Sequence, residues 1–126
     1  MKDCHWKLGR AVVLALNVSM IMPTSATAYS CIGKIEQVTT DPGGTVNATF
    51  TFQSGVMAWQ DVCNVNVASN NVPTAACKTM LATLLSAKLA QRDVELWFDD
   101  ATPNNCNATP WRPLRERGWY WGPSMK

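Results

Sequence analysis

The sequence predicts a mainly β domain with one helix, a five-stranded Greek-key barrel. Three observations predict it. Short runs of alternating or β-branched residues recur along the chain, one stretch of helical period opens on a proline, and the cysteines suit a small stapled fold.

Ile32 to Thr40 reads as the first strand, rich in β-branched residues. Asp41-Pro42-Gly43-Gly44 is a turn, because proline presets one dihedral and the glycines permit positive φ. Thr45 to Phe52 alternates cleanly, with Val46, Ala48, Phe50 and Phe52 on one face and Thr45, Asn47, Thr49 and Thr51 on the other. Ser54-Gly55 turns the chain again. Val56 to Val67 is a longer third strand, with Cys63, Val65 and Val67 on one face. Asp61 is in phase with that apolar set, so a bulge is expected near Asp61-Val62.

Pro73-Thr74 opens a helix that runs to about Ala90, since proline is tolerated in a first turn. Cys77, Leu81, Leu84, Leu85 and Lys88 follow its period, the last laying its stem along the core edge. Val94 to Phe98 is the fourth strand, with Val94, Leu96 and Phe98 pointing one way and Glu95 and Trp97 the other. Asp99 to Pro113 is a polar loop, and Gly118 to Gly122 (Gly-Trp-Tyr-Trp-Gly) is an aromatic fifth strand.

The order β-β-β-α-β-β is that of an OB-fold, whose helix plugs one end of the barrel between strands three and four. There the first strand runs antiparallel to the fourth. Cys31 then starts beside the end of strand four, just before Cys106, while Cys63 on strand three lies near Cys77 in the first turns of the helix. The four cysteines beyond residue 28 allow three pairings, and Cys31–Cys106 with Cys63–Cys77 is the one that is short in space.

Residues 1–28 read as a secretory signal peptide. Lys2, Lys7 and Arg10 form a positive start, Ala11 to Met22 is mostly apolar, Pro23 ends it, and Ala26-Thr27-Ala28 has the small residues of a cleavage site. The apolar run is short for a bilayer span, so no stable membrane anchor is expected. Ala28-Tyr29-Ser30 before Cys31 does not fit a lipobox. Removal of residues 1–28 takes away Cys4, His5 and Trp6 and leaves residues 29–126 as one disulfide-stapled domain. The remaining acidic and basic residues balance, which argues against nucleic acid as a partner, because phosphate neutralisation dominates such binding. The expected location is secreted or periplasmic.

The stretch from Cys63 to Asp99 resembles the pertussis-like B subunits of AB5 toxins, in particular the subtilase cytotoxin type. What matches is a cysteine on strand three, a polar loop, Ala76-Cys77 opening an amphipathic helix, and Val94-Glu95-Leu96-Trp97-Phe98 after it. The chain also looks like a group of short exported proteins of Gram-negative bacteria, through Cys31-Ile32-Gly33-Lys34, Cys63-Asn64-Val65-Asn66, Ala76-Cys77-Lys78 and the closing aromatic strand. The toxin resemblance implies an OB-fold homopentamer that binds cell-surface glycans and carries no catalysis. In those subunits a serine early in the barrel, with nearby polar and aromatic residues, holds sialylated sugars, and Ser30 is the nearest serine here.

Catalytic chemistry finds little footing. His5, the one histidine, leaves with the signal, so the usual general base for a serine or cysteine nucleophile is missing. The spacing of Glu36, Asp61, Glu95 and Asp99 singles out no carboxylate pair for glycoside hydrolysis. Asp99-Asp100 reads as a polar turn rather than a cation site, and neither metal nor cofactor is expected.

Tryptophan is the unusual feature: Trp59, Trp97, Trp111, Trp119 and Trp121 all lie beyond the signal. Core packing is the default reading, above all for Trp119 and Trp121. Trp97 points away from its apolar neighbours, toward solvent or an interface, and Trp111 lies between prolines in the long loop. Ala75, Thr79, Ala82, Ser86 and Ala90 form a face of small residues on the helix. That face is either simply solvated or packs helix to helix where such helices line the pore of a ring. The expected function is therefore an exported non-catalytic binding module, with Ser30, Trp97 and Trp111 as ligand or interface residues. The alternative is a monomeric envelope or structural protein, or an inhibitor of a secreted enzyme.

Overall fold

The computed structural model describes residues 27–102 and 104–126, so nearly all of the signal-peptide reading lies outside the described residues. Five strands form one antiparallel sheet: β1 (Tyr29–Thr40), β2 (Thr45–Phe52), β3 (Gly55–Asn64), β4 (Val94–Phe98) and β5 (Trp119–Met125). Their order across the sheet is β3-β2-β1-β4-β5, with one helix, α1 (Thr74–Leu89), between β3 and β4. This is an OB-like fold.

The alternation of β2 sets the core. Val46, Ala48 and Phe50 are fully buried, and Phe50 stacks on Phe52. From β1 and β4, Cys31, Ile35, Val94, Leu96 and Phe98 join them, and α1 closes the end with Cys77, Leu84 and Ala87. Leu85, expected on the packed face, is instead half exposed, and the small Ala87 packs inward in its place. Helix and sheet approach closely there, and the Lys88 Nζ crosses to donate to the Glu36 carbonyl at 2.6 Å. Cys31 is joined to Cys106 and Cys63 to Cys77. Two disulfides fit an oxidising compartment outside the cytosol. No described helix is long and apolar enough to cross a membrane.

Three element boundaries move by more than one residue. β1 starts at Tyr29, ahead of Ile32, because Tyr29 to Gly33 pair with Phe98 to Val94 of β4. β3 stops at Asn64 rather than Val67, since the Asn64 side-chain oxygen accepts the N–H groups of Asn66 and Val67 and turns the chain out of the sheet. β5 continues past Gly122 to Met125, pairing Ser124 with Glu95 and Met125 with Val94.

The bulge expected near Asp61-Val62 is present. Cys63 pairs with Val46 and Asp61 with Asn47, which leaves Val62 extra and turned into the core. A second irregularity has no trace in the pattern. Gln60 pairs with Ala48 and Met57 with Phe50, so Ala58 and Trp59 together face Thr49. This edge of the sheet is covered by the segment before β5: Ala108 bridges to Met57 and Pro113 to Asp61, both in parallel.

Candidate functional site

The outer face of β4 and β5 holds the aromatic residues that the core does not take. Trp97 pairs with Trp121 and Phe98 with Trp119, so Tyr120 is an extra residue in β5. That bulge sends Trp119 inward, where it is buried, and turns Tyr120 and Trp121 both outward, each about half exposed. The indole N–H of Trp119 donates to the Trp121 carbonyl at 3.0 Å and fixes the bend. Beyond it the chain passes through Gly122 at φ 98°, where a Cβ would come within 2.5 Å of the Glu95 carbonyl oxygen. Only glycine lets β5 lie this close to β4.

Glu95, Trp97, Tyr120 and Trp121 line an open depression of about 380 Å³. Glu95 forms its floor and is only 7% exposed. Its carboxylate meets the Lys126 ammonium at 2.6 Å. Lys126 is itself placed by its backbone N–H, which donates to the Asp93 carbonyl, and by the Arg92 guanidinium on its carbonyl. Lys126 holds the Glu95 carboxyl below the usual carboxylate range. Burial opposes that shift, and the Ser30 and Trp97 side chains reinforce it. The site therefore offers aromatic faces beside an ion pair whose carboxylate is buried and whose ammonium is half exposed.

Ser30 and Trp97 come together here, because they are cross-strand partners on β1 and β4. Trp97 is half-buried on the face opposite the buried Val94, Leu96 and Phe98. Trp111 is not part of this group. It stacks on Trp59 beside β3, at the other end of the strand order. The helix residues Ala75, Thr79, Ala82, Ser86 and Ala90 are all exposed and lie apart from the depression. Asp99 and Asp100 do not act as a pair, since Asp100 is bound to Arg117 and Tyr29. Among the described residues no group of three acidic, histidine or cysteine side chains could hold a metal ion.

Sequence reasoning missed Trp121 and Tyr120 as surface residues. The available signal was the glycine on either side of Trp119-Tyr120-Trp121, which allows an irregular strand. The sequence places Glu95 on the same face as Trp97, but its burial goes with the Lys126 pair, and no local pattern links those two residues.

No protein-family model, curated protein or solved structure matches the chain.

Proposed function

We propose that the chain is an exported, non-catalytic glycan-binding module, related to the B subunits of AB5 toxins and assembling as a ring, and that it is secreted or periplasmic. The observation that carries this reading is the depression walled by Trp97, Tyr120 and Trp121 over the Glu95–Lys126 pair. A pyranose presents apolar C–H faces and a rim of hydroxyl groups. Indole and phenol rings stack on the former, and a fixed carboxylate accepts from the latter. Lys126, half exposed, adds a cation for a sugar carboxylate such as that of a sialylated glycan. Ser30, the serine to which the toxin resemblance points, is one cross-strand step from Trp97.

Binding of the purified protein to an array of sialylated and neutral glycans tests the reading. Trp97→Ala and Trp121→Ala should each weaken binding about tenfold or more, as truncation of an aromatic anchor does. Trp121→Ala should leave the melting temperature close to that of the parent, since Trp121 is outside the core. The same exposed aromatic residues would also anchor a protein partner, which favours an inhibitor or envelope component as the second reading. Absence of binding to every glycan would reject the first reading and leave the second.

A further inference from the structure

Trp59 and Trp111 lie face to face, with ring centroids 4.9 Å apart and planes within 6°. Both have left-handed backbones, at φ 51° and 61°, a region that bulky residues seldom occupy. Trp59 is forced there by the second β3 bulge, and its N–H donates to the Thr49 hydroxyl at 3.0 Å. Trp111 is held by its N–H on the Trp59 carbonyl at 3.1 Å, and the next residue, Arg112, accepts from the Asp61 N–H at 3.0 Å. Two strained tryptophans are thus fixed in place by the backbone around them. Strain of this kind concentrates where a side chain must be presented.

Trp59 covers one face of the Trp111 indole, yet Trp111 is 65% exposed, so its other face is open. Trp111 also walls a cavity of about 420 Å³ whose remaining lining is polar and includes Thr40, Asp41, Asn47 and Asp61. Asp41 accepts from the Thr45 N–H and Asp61 from the Asn70 amide. Among the described residues neither carboxylate forms an ion pair. Burial pushes the Asp61 carboxyl up, and the charge of Asp41 adds to the effect. A flat aromatic platform beside hydroxyl, amide and carboxylate acceptors matches a pyranose ring. Two carboxylates without a counter-cation repel an acidic sugar and attract an ammonium group, which the indole face also favours.

We infer that Trp111 and Asp61 form a second sugar site, selective for a non-anionic pyranose and tightest for one carrying a free amino group. The site extends the saccharide-binding reading of the chain but shares no residue with the Trp97 depression.

The test is calorimetric titration of the disulfide-intact protein with three probes: the glucosamine tetramer at mildly acidic pH, its fully N-acetylated form, and 3′-sialyllactose. The glucosamine tetramer should bind more tightly than its acetylated form. Trp111→Ala should weaken both about tenfold or more, whereas Trp97→Ala should leave both unchanged. Asp61→Asn keeps the shape of the side chain and should remove the preference for the free amine while acetylated binding persists. Should Trp111→Ala not fold, the selectivity of Asp61→Asn decides the matter. The inference is overturned if the wild-type protein binds neither tetramer, if 3′-sialyllactose competes for the same site, or if Trp111→Ala and Asp61→Asn bind as the parent does. Loss of 3′-sialyllactose binding in Trp97→Ala alone bears on the first site and not on this one.

Discussion

Asp100 sits at the centre of a largely buried polar cluster. It accepts from the Tyr29 hydroxyl at 2.8 Å and from the Arg117 guanidinium at 2.9 Å, and Arg117 also donates to the Asn105 carbonyl at 2.9 Å. The cluster ties the start of β1 to the loop around Cys106 and to the 3-10 turn Leu114–Arg117 ahead of β5. Burial pushes the Asp100 carboxyl up, but Tyr29, Arg117 and the Thr102 amide together hold it below the usual range. A carboxyl lowered in the folded state contributes stability above its unfolded value, and that contribution is lost as pH falls through the folded value. Asp100→Asn should therefore cost about 1–3 kcal/mol at neutral pH, because it leaves the Arg117 charge without its partner. The gap in melting temperature between variant and parent should narrow as the pH falls below the unfolded value of about 4, and close only below the lowered folded value, where the parent also loses the charge. Melting curves across the acid range check this, and a gap that persists at low pH would mean that Asp100 acts through packing instead.

Among the elements, β1 is paired along both edges, with β2 on one and β4 on the other. At Gly33 both neighbours are present at once, Phe52 on one side and Val94 on the other. A Cβ at Gly33 would overlap the Thr51 carbonyl oxygen and lie 2.9 Å from the Phe52 Cα, both of them backbone atoms. The strand cannot move aside to relieve such an overlap, because it is bonded on both edges. Gly33→Ala should destabilise by about 1–3 kcal/mol or more. The measurement is urea unfolding, with a lower midpoint and an unchanged slope. The other elements differ in how far local pattern specifies them. The alternation of β2 is plain because one of its faces is wholly core. The packed face of α1 is not, because alanines occupy inner and outer positions alike and the size of the gap decides which of them is buried.

For the whole molecule, the two disulfides bind the sheet to the parts that lie outside it. Cys31–Cys106 closes 75 residues and Cys63–Cys77 closes 14. By chain-entropy reasoning each adds about 3–4.5 kcal/mol, a large share for a domain of this size. The exposed side of α1 has a different bearing on the whole. Ala75, Thr79, Ala82 and Ser86 leave a low surface, and Leu85 and Leu89 beside them are 42% and 85% exposed. If α1 packs against α1 of neighbouring copies, native mass spectrometry should return a multiple of the chain mass, and Ala82→Arg should reduce it to one chain without lowering the melting temperature. A single-chain mass for the parent would reject the ring and leave the proposed sugar sites to their own tests.

By itself the sequence determined the fold class, the strand that builds the core, the helix start at Pro73 and the outward direction of Trp97. Each follows from period or turn chemistry, which are local properties of the chain. It also brought Ser30, Trp97 and Trp111 forward as surface candidates. Only the tertiary structure decided that Ser30 and Trp97 are neighbours, that Tyr120 and Trp121 join them, and that Trp111 stands apart on Trp59. The first outcome comes from the β1–β4 register, and the other two depend on the bulges at Ala58-Trp59 and Tyr120, where a bulge is a mismatch between two strands. Its position depends on which residues the partner strand places opposite, so the pattern of one strand does not contain it.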